Sequence, residues 1–516
     1  MEKPPLPRQV CGSGLGLTLF EQRDCSMAEQ KLDVLVRGGE VIDGSKRPRF
    51  KADVGIRGGQ IVAMGDLSGA QAERVIDASG KIVAPGFIDS HTHDDQALLL
   101  QPQMEFKVSQ GVTAVVTGNC GISVAPLFPD SPMPAPLNLL SDAKTRFSTF
   151  KEYLAALHEA PPAVNVIPMV GHTNLRVLAM SDLSRAANQD EIARMQALLR
   201  EALAAGAVGL STGTYYPPAA AATTEEVSAV AQPLAEFDAL YVTHMRDEGL
   251  HCQQSIDETL QIGQSAQASV VISHHKLAGQ ANWGNSVKTL PQIEAAMQCQ
   301  CVSLDCYPYH ASSTMLHLQE ERLPGKILIA TSEPHPELQG QELGEIAKAW
   351  GVSRAEASAR LQPASAIYFS MDEADVQRIL KFEPTMIGSD GIPSNERPHP
   401  RLWGTFPRVL GHYSRDIGLF PLETAVWKMT GLTAQVFGIE GRGVLAEGNF
   451  ADITVFDPQT VRDTATFDNP MQAAAGIDYV IVNGAVAYEG GAYKGTRTGV
   501  VLKRTAPAKV CPGMAA

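Results

Sequence analysis

Cysteine is scarce in this sequence, with eight thiols in 516 residues, and their spacing shows none of the pairing that marks a small disulfide-stapled domain. Most are expected to be reduced and structural. Basic residues are in deficit, 42 against 56 acidic for a formal charge of −14, which argues against a nucleic-acid binder, since phosphate recognition needs clustered Lys and Arg. No apolar run approaches the roughly 20 residues of a membrane helix. The first 26 residues also lack the apolar core of about 7–15 residues that a secretory leader carries. These absences point to a cytoplasmic protein acting on a small molecule, with neither nucleic acid nor membrane as partner. They say nothing of oligomeric state.

What is present is ordinary globular material, 44% hydrophobic and 19% charged. The chain is long enough for one large domain and a smaller one, because single cores stop growing at roughly 250–300 residues. Residues 1–26 scatter Pro, Gly and Cys without periodicity and are expected to be a disordered extension, with Met1 and Met27 both open as the start. Residues 31–86 read as short strands around glycine turns, in LDVLVRGGEVIDG, ADVGIRGGQIVAMG and ERVIDASGKIVAPG, and are expected to form a small antiparallel sheet. The same texture returns within residues 439–504, in FADITVFDP, YVIVNGAVAYEGG and GVVLKR, so the two chain ends are expected to complete one β-sandwich.

Between them, residues 87–438 alternate short strands with helical patterns: GVTAVVTGN, AVNVIPMVGH, AVGLSTG, ALYVTHMRD, SVVISHHK, VSLDCYPY and PTMIGSDG, with helices such as 190–205 and 223–235. Alternation of this length predicts an α/β fold of the (β/α)8 TIM-like type, whose chemistry sits at the C-terminal ends of the strands. One excursion, about residues 310–363, is too long for a barrel loop and carries helical patterns at 340–350 and 353–361. It is expected to be an inserted helical subdomain placed to lid the site.

The strand ends hold the polar residues of interest. GFIDSHTHDD ends the first barrel strand with His91 and His93; residues two apart on a strand share a face, so both imidazoles point to the barrel mouth. Cys120 follows in TGNCGIS. A lone cysteine is usually a small buried hydrophobe, but here Gly and Asn mark a loop where a thiolate faces a cation. His244 stands in THMRDEG, and His274 with His275 in ISHHK; neighbours on a strand point opposite ways, so only one of that pair faces the mouth. Asp390 in MIGSDG ends a later strand, with a turn or helix cap as its plainer role. Singly, each is explained by core or turn. Five strand ends carrying His, Cys, His, His and Asp in one alternating chain point instead to a metal. One Cys with two His is a tetrahedral zinc set that leaves a position open, as catalytic zinc sites do.

GFIDSHTHDD, VTGNCGIS, THMRDEG, ISHHK and GSDG, in that order, resemble the D-aminoacylase branch of the amidohydrolase superfamily. PHPRLWGTFPRVLG and PLETAVWKMTGLTA extend the resemblance over residues 31 to about 501. It implies zinc-dependent hydrolysis of N-acyl-D-amino acids. Cys120, His244 and His274 match the tight zinc ligands; His91, His93 and Asp390 match a second, weakly occupied position, and Asp390 is the general base that later returns its proton to the departing amine. The strand end AVGLSTGTYYP lacks the carboxylated lysine of many binuclear relatives, so one functional zinc is expected.

A substrate α-carboxylate needs a cationic or hydrogen-bonding clamp, for which Arg is the natural bidentate partner. Arg401, Lys276 and Tyr307 stand near strand ends and match the family's carboxylate-binding residues, with Ser313 a weaker companion. The side-chain pocket is equivocal. In STMLHLQEERLPG the family's members specific for hydrophobic substrates resemble an apolar lining, whereas Arg322 suits an acidic side chain. A buried unpaired arginine is costly, so it pairs with Glu320 or Glu321 or reaches solvent or substrate. Apolar D-residues are expected ahead of acidic ones. Two other readings remain: a cyclic-amide hydrolase, against which the missing lysine and the cysteine speak, and a non-catalytic relative, which would be expected to lose ligands that are present here.

Overall fold

Eight short parallel strands, each followed by helical or irregular chain, set the frame of the molecule. The computed structural model describes residues 31–128, 130, 133–139, 145–393 and 396–505; the expectation for residues 1–26 lies outside them. The barrel strands are β1 (Phe87–Asp89), β2 (Val112–Thr117), β3 (Asn165–Pro168, resuming at Val170–Gly171), β4 (Gly209–Gly213), β5 (Leu240–His244), β6 (Val270–Ile272), β7 (Val302–Cys306) and β8 (Thr385–Ile387). Successive strands pair in parallel from β1 to β8. The ring closes through a parallel bridge between Thr92 and Gly391.

These strands are apolar along most of their length because both their faces are covered. Side-chain alternation divides them between two clusters. Val116, Ile167, Val242 and Met386 belong to one, while Val115, Val166, Tyr241 and Ile387 pack with the surrounding helices.

The chain ends meet in a seven-stranded sheet, where Ile453–Phe456 runs antiparallel to Ile82–Pro85 and pairs on its other edge with Ile477–Val482. A four-stranded sheet built from the N-terminal end alone packs against it through Val34, Ile56, Val455 and Ile481. Two local readings are corrected. The N-terminal strands are mixed rather than antiparallel, because Leu32–Arg37 pairs in parallel with Ala72–Asp77. GVVLKR adds no strand to the sandwich; Val501 makes a single bridge to Val166 of the barrel.

The insertion is not helical alone, although its sequence suggested so. Beside helices Leu343–Trp350 and Arg354–Leu361 it contains a three-stranded antiparallel sheet, ordered Ser312–Met315, Ala364–Tyr368, Ile327–Ser332, which carries it past residue 363. Its first strand is four residues, SSTM, with no apolar alternation to announce it, so the helical patterns dominated the sequence reading. Leu316, Ile329, Ile346 and Leu361 give the insertion a small core of its own.

Among the described residues no helix is long and apolar enough to cross a membrane. Cys120, Cys252, Cys299 and Cys306 carry free thiols, and Cys301 is disulfide-bonded. Phe456, from the C-terminal strand, is fully buried with its ring centroid 6.3 Å from that of Phe87 in β1, and Phe87 stacks on Phe406 at 5.8 Å. This aromatic group ties the sandwich to the barrel. Phe456→Ala is expected to cost about 3–5 kcal/mol, read as a lowered urea midpoint; a midpoint equal to that of the native protein would show that the two units are not coupled there.

Candidate metal centre

Every candidate ligand leaves the barrel at the same end. His91 and His93 follow β1, Cys120 follows β2, His244 is the last residue of β5, His274 follows β6 and Asp390 follows β8. Eight non-glycine residues among those described have positive φ, and three are Cys120 (+55°), His274 (+35°) and Asp390 (+50°). The left-handed region costs a residue with a Cβ roughly 1–2 kcal/mol, so strain is concentrated at these strand ends. Neighbouring glycines make room for it: a Cβ on Gly213, the last residue of β4, would collide with the Cys120 carbonyl oxygen.

Cys120 Sγ lies 3.3 Å from His91 Nε2 and 3.3 Å from His274 Nε2. Asp390 Oδ1 is 3.2 Å from His93 Nε2 and 3.6 Å from His91 Nε2. The donor atoms of His91, Cys120, His274 and Asp390 fall within 4.8 Å of one another, and so do those of His244, Glu248 and His274. Two overlapping groups thus share His274. His275 turns away, buried, with Nε2 2.9 Å from Thr289 Oγ1.

The donor set fits a zinc ion. Both ring nitrogens of His244 and Nδ1 of His93 are buried without a hydrogen-bond partner, a state that folded proteins rarely tolerate. A thiolate, imidazoles and a carboxylate are together the ligands that zinc selects. Burial resists ionisation of Cys120, yet His91 and His274 beside it hold its thiol well below the ordinary range. Burial likewise opposes a charged His93, but Asp390 and Cys120 raise it to about 9. Burial lowers His244 and keeps its lone pair free. The cluster therefore draws positive charge to itself, and metal binding would release the protons that now supply it.

Two carboxylates that the sequence reading passed over support the histidines. Glu248 Oε1 is 2.9 Å from His274 Nδ1 and accepts from Lys276 Nζ at 2.6 Å, while its Oε2 is 3.5 Å from His244 Nε2. Asp305 Oδ1 accepts from the His274 backbone N at 2.8 Å and stands 3.5 Å from His91 Nδ1. Carboxylates behind histidine ligands orient the rings and raise their basicity. Glu248 had a sequence signal, four residues beyond His244 in THMRDEG; Asp305 had only its polarity within the strand VSLDC.

A cavity of about 360 Å³ opens beside the cluster, with His244, His274, Asp390, Lys276, Tyr307 and Ser313 in its lining. Arg401 is placed differently from the strand-end position that the sequence suggested. It is the first residue of helix Arg401–Arg408, fully buried, with Nη1 2.9 Å from Asp390 Oδ2 and Nη2 donating to the Ser313 carbonyl at 3.2 Å. Its guanidinium lies 4.5 Å from the Tyr307 ring centroid. Arg322 also lines the cavity, exposed, 4.9 Å from the Tyr215 ring centroid. Glu320, a partner that the sequence suggested for it, accepts instead from the Ala355 backbone N at 2.8 Å.

A model of the amidohydrolase family matches residues 74–299 and 346–488. The D-aminoacylase of Alcaligenes xylosoxydans xylosoxydans is 58% identical over 478 residues, 92% of this chain and 99% of that protein. The N-acyl-D-aspartate deacylase of the same organism is 51% identical over 92% of this chain and 96% of its own. Among solved structures, the N-acyl-D-glutamate deacylase from Bordetella Bronchiseptica, complexed with zinc and a phosphonate mimic of the tetrahedral intermediate, is 46% identical with a TM-score of 0.89, covering 92% of this chain and all of its own. A D-aminoacylase structure, 58% identical with a TM-score of 0.90 over 92% of this chain and all of its own, is described as having a binuclear metal centre activated by one metal and attenuated by a second.

Glu248→Gln is expected to weaken zinc binding about 10–100-fold, measured by competition with a chelator. Unchanged affinity would show that this carboxylate does not tune the ligands.

Proposed function

The chain belongs to the amidohydrolase family, and from that premise we propose that it is a zinc-dependent deacylase of N-acyl-D-amino acids, releasing a carboxylate and a free D-amino acid. The observation that carries this reading is the gathering of Cys120, His91, His274 and Asp390, with His244 beside them, next to a cavity that His244, His274 and Asp390 line. A non-catalytic relative would be expected to have lost such a set. The cytoplasmic setting expected from the sequence is part of the same proposal.

Cys120, His244 and His274 are assigned to the tight zinc position, and His91, His93 and Asp390 to a second, weaker one. When bound, zinc supplies a Lewis acid that polarises the amide oxygen and acidifies water. Asp390 moves the proton. Burial disfavours its charge, but Arg401 and His274 hold its carboxyl well below the usual carboxylate range, so it is an anion at neutral pH. As the water oxygen adds to the acyl carbonyl carbon, Asp390 takes the proton; as the C–N bond breaks, it returns that proton to the departing nitrogen.

The substrate α-carboxylate is assigned to Lys276, Tyr307, Ser313 and Arg401. Three of these line the cavity, and the fourth contacts Asp390 and Ser313, which do so as well. Arg401 Nε and Ser313 Oγ are buried donors without a hydrogen-bond partner, which a bound carboxylate would satisfy. Lys276 Nζ is shared with Glu248 Oε1 at 2.6 Å and His274 Nδ1 at 2.7 Å, leaving it one further N–H group.

For the substrate side chain, the sequence ranks apolar residues first, and Arg322 is the observation that favours a second, acidic reading. Its neighbour His317 is pushed down to about 4 by burial and by Arg322 itself, so it is neutral and Arg322 is left as a cation on that wall of the cavity. Amine release from N-acetyl-D-methionine, N-acetyl-D-glutamate and N-acetyl-L-methionine, measured side by side, is expected for the D forms alone; silence on all three in zinc-loaded protein would favour a cyclic-amide substrate. If Arg322 reads an acidic side chain, Arg322→Leu lowers the glutamate-to-methionine ratio about tenfold or more, whereas an unchanged ratio returns the choice to apolar substrates. Asp390→Asn should lower kcat by about 100-fold or more while zinc stays bound, and near-normal turnover would refute its role.

A further inference from the structure

The ring of strands closes where its pairing is thinnest. β8 and β1 are three residues each, and the seam between them is held by the Thr92–Gly391 bridge and a few backbone bonds. These include Ser90 N to Ile387 O at 3.3 Å, Asp390 N to His91 O at 2.8 Å and His93 N to Gly391 O at 3.2 Å. Yet this seam carries His91 and His93 on one side and Asp390 on the other. The approach is close: a Cβ on Gly388 would stand 2.6 Å from the Cβ of His91.

Behind the seam lies a lysine that the mechanism does not use. Lys107, from the short helix Glu105–Val108 that precedes β2, is fully buried, as are Asp89, Asp94 and Ser389. Its Nζ donates to Asp89 Oδ2 at 2.7 Å and to Ser389 Oγ at 2.9 Å, and stands 3.2 Å from Asp94 Oδ2. Asp89 Oδ1 accepts from Ser389 N at 2.7 Å and from His91 N at 3.3 Å, and Ser389 Oγ accepts from Gly391 N at 3.2 Å. One ammonium group thus reaches the backbone of both seam strands, at the residues flanking Asp390 and at His91 itself. Burying a lysine is expensive unless several partners hold it, and here those partners are the two sides of the seam.

We infer that Lys107 is a positioning residue, which through Asp89 and Ser389 holds the His91–His93 strand end and the Asp390 turn in register across the seam where the barrel closes. It touches neither substrate nor reacting atoms. Asp390, at φ +50°, is in a conformation that persists only while its surroundings enforce it, and Lys107 is part of what enforces it. The inference rests on Asp390 as the proton carrier proposed above.

The test is made on the full-length protein with Lys107→Met and Ser389→Ala, singly and combined, and with Asp390→Asn read alongside. Displacement of a catalytic group by about 1 Å costs about 100-fold in rate. Lys107→Met is therefore expected to lower kcat by about that factor with KM within about threefold of native. It keeps one tightly held zinc and weakens uptake of a second, followed by zinc titration without substrate. Ser389→Ala gives a smaller fall of the same kind, and the double variant is no worse than Lys107→Met, because both cut one tie. Native kcat and native second-zinc uptake in folded Lys107→Met, or losses that multiply in the double variant, overturn the inference. Should Lys107→Met not fold, Ser389→Ala decides alone, with unchanged kcat and zinc uptake overturning it. If Asp390→Asn stays active, the proton-carrier reading fails, and the zinc titration still judges whether Lys107 positions the seam.

Discussion

A sulfur between two imidazoles, 3.3 Å from each and almost wholly buried, is the interaction on which the rest of the site depends. Cys120 stands between the ring of His91, at the end of β1, and that of His274, at the end of β6, and His274 is the point where the two donor groups join. Such a cluster is stable only with positive charge inside it, because a thiolate and a carboxylate sharing a buried space repel each other. The carboxylates Glu248 and Asp305 reinforce that demand from behind the histidines, and Arg401 answers it from the side of Asp390.

The barrel meets this demand by bending its own strand ends. Three of the residues concerned hold left-handed backbone, a conformation uncommon in any residue that carries a Cβ. The strain is tolerable because the strands behind it are parallel and buried, and because the glycines around them leave room for it. It also explains why the chemistry lies just beyond the strands rather than within them: Cys120, His274 and Asp390 are each two or three residues past the last paired position of β2, β6 and β8.

Much of this was legible in the sequence, because each ligand follows its own apolar run and the runs recur with helices between them. What was not legible is what depends on contacts between distant segments. Asp305 serves His274 from the adjacent strand, and Lys107 serves Ser389 across 282 residues of chain; no local pattern marks either. Asp89 sits inside the motif GFIDSHTHDD, two residues before His91, yet its partner Ser389, just past β8, cannot be read from that motif. The sheet of the insertion was hidden for a different reason, since Ser312–Met315 is mostly polar and takes its conformation from the strand beside it rather than from its own alternation.

Arg401 shows how the insertion and the barrel act as one site. Its guanidinium is 2.9 Å from Asp390 with one nitrogen and donates to the Ser313 carbonyl with another, while its plane rests over Tyr307 at the end of β7. Ser313 belongs to the first strand of the insertion, so the insertion is fastened to the cation that keeps Asp390 ionised. A shift of that strand would alter both the cavity wall and the electrostatic environment of the base. Under the assignment proposed above, the same residue meets the substrate carboxylate, and an anion arriving there would compete with Asp390 for the guanidinium's positive charge. Competition of that kind would raise the basicity of Asp390, so under that assignment substrate binding and proton uptake by Asp390 would be linked through one arginine.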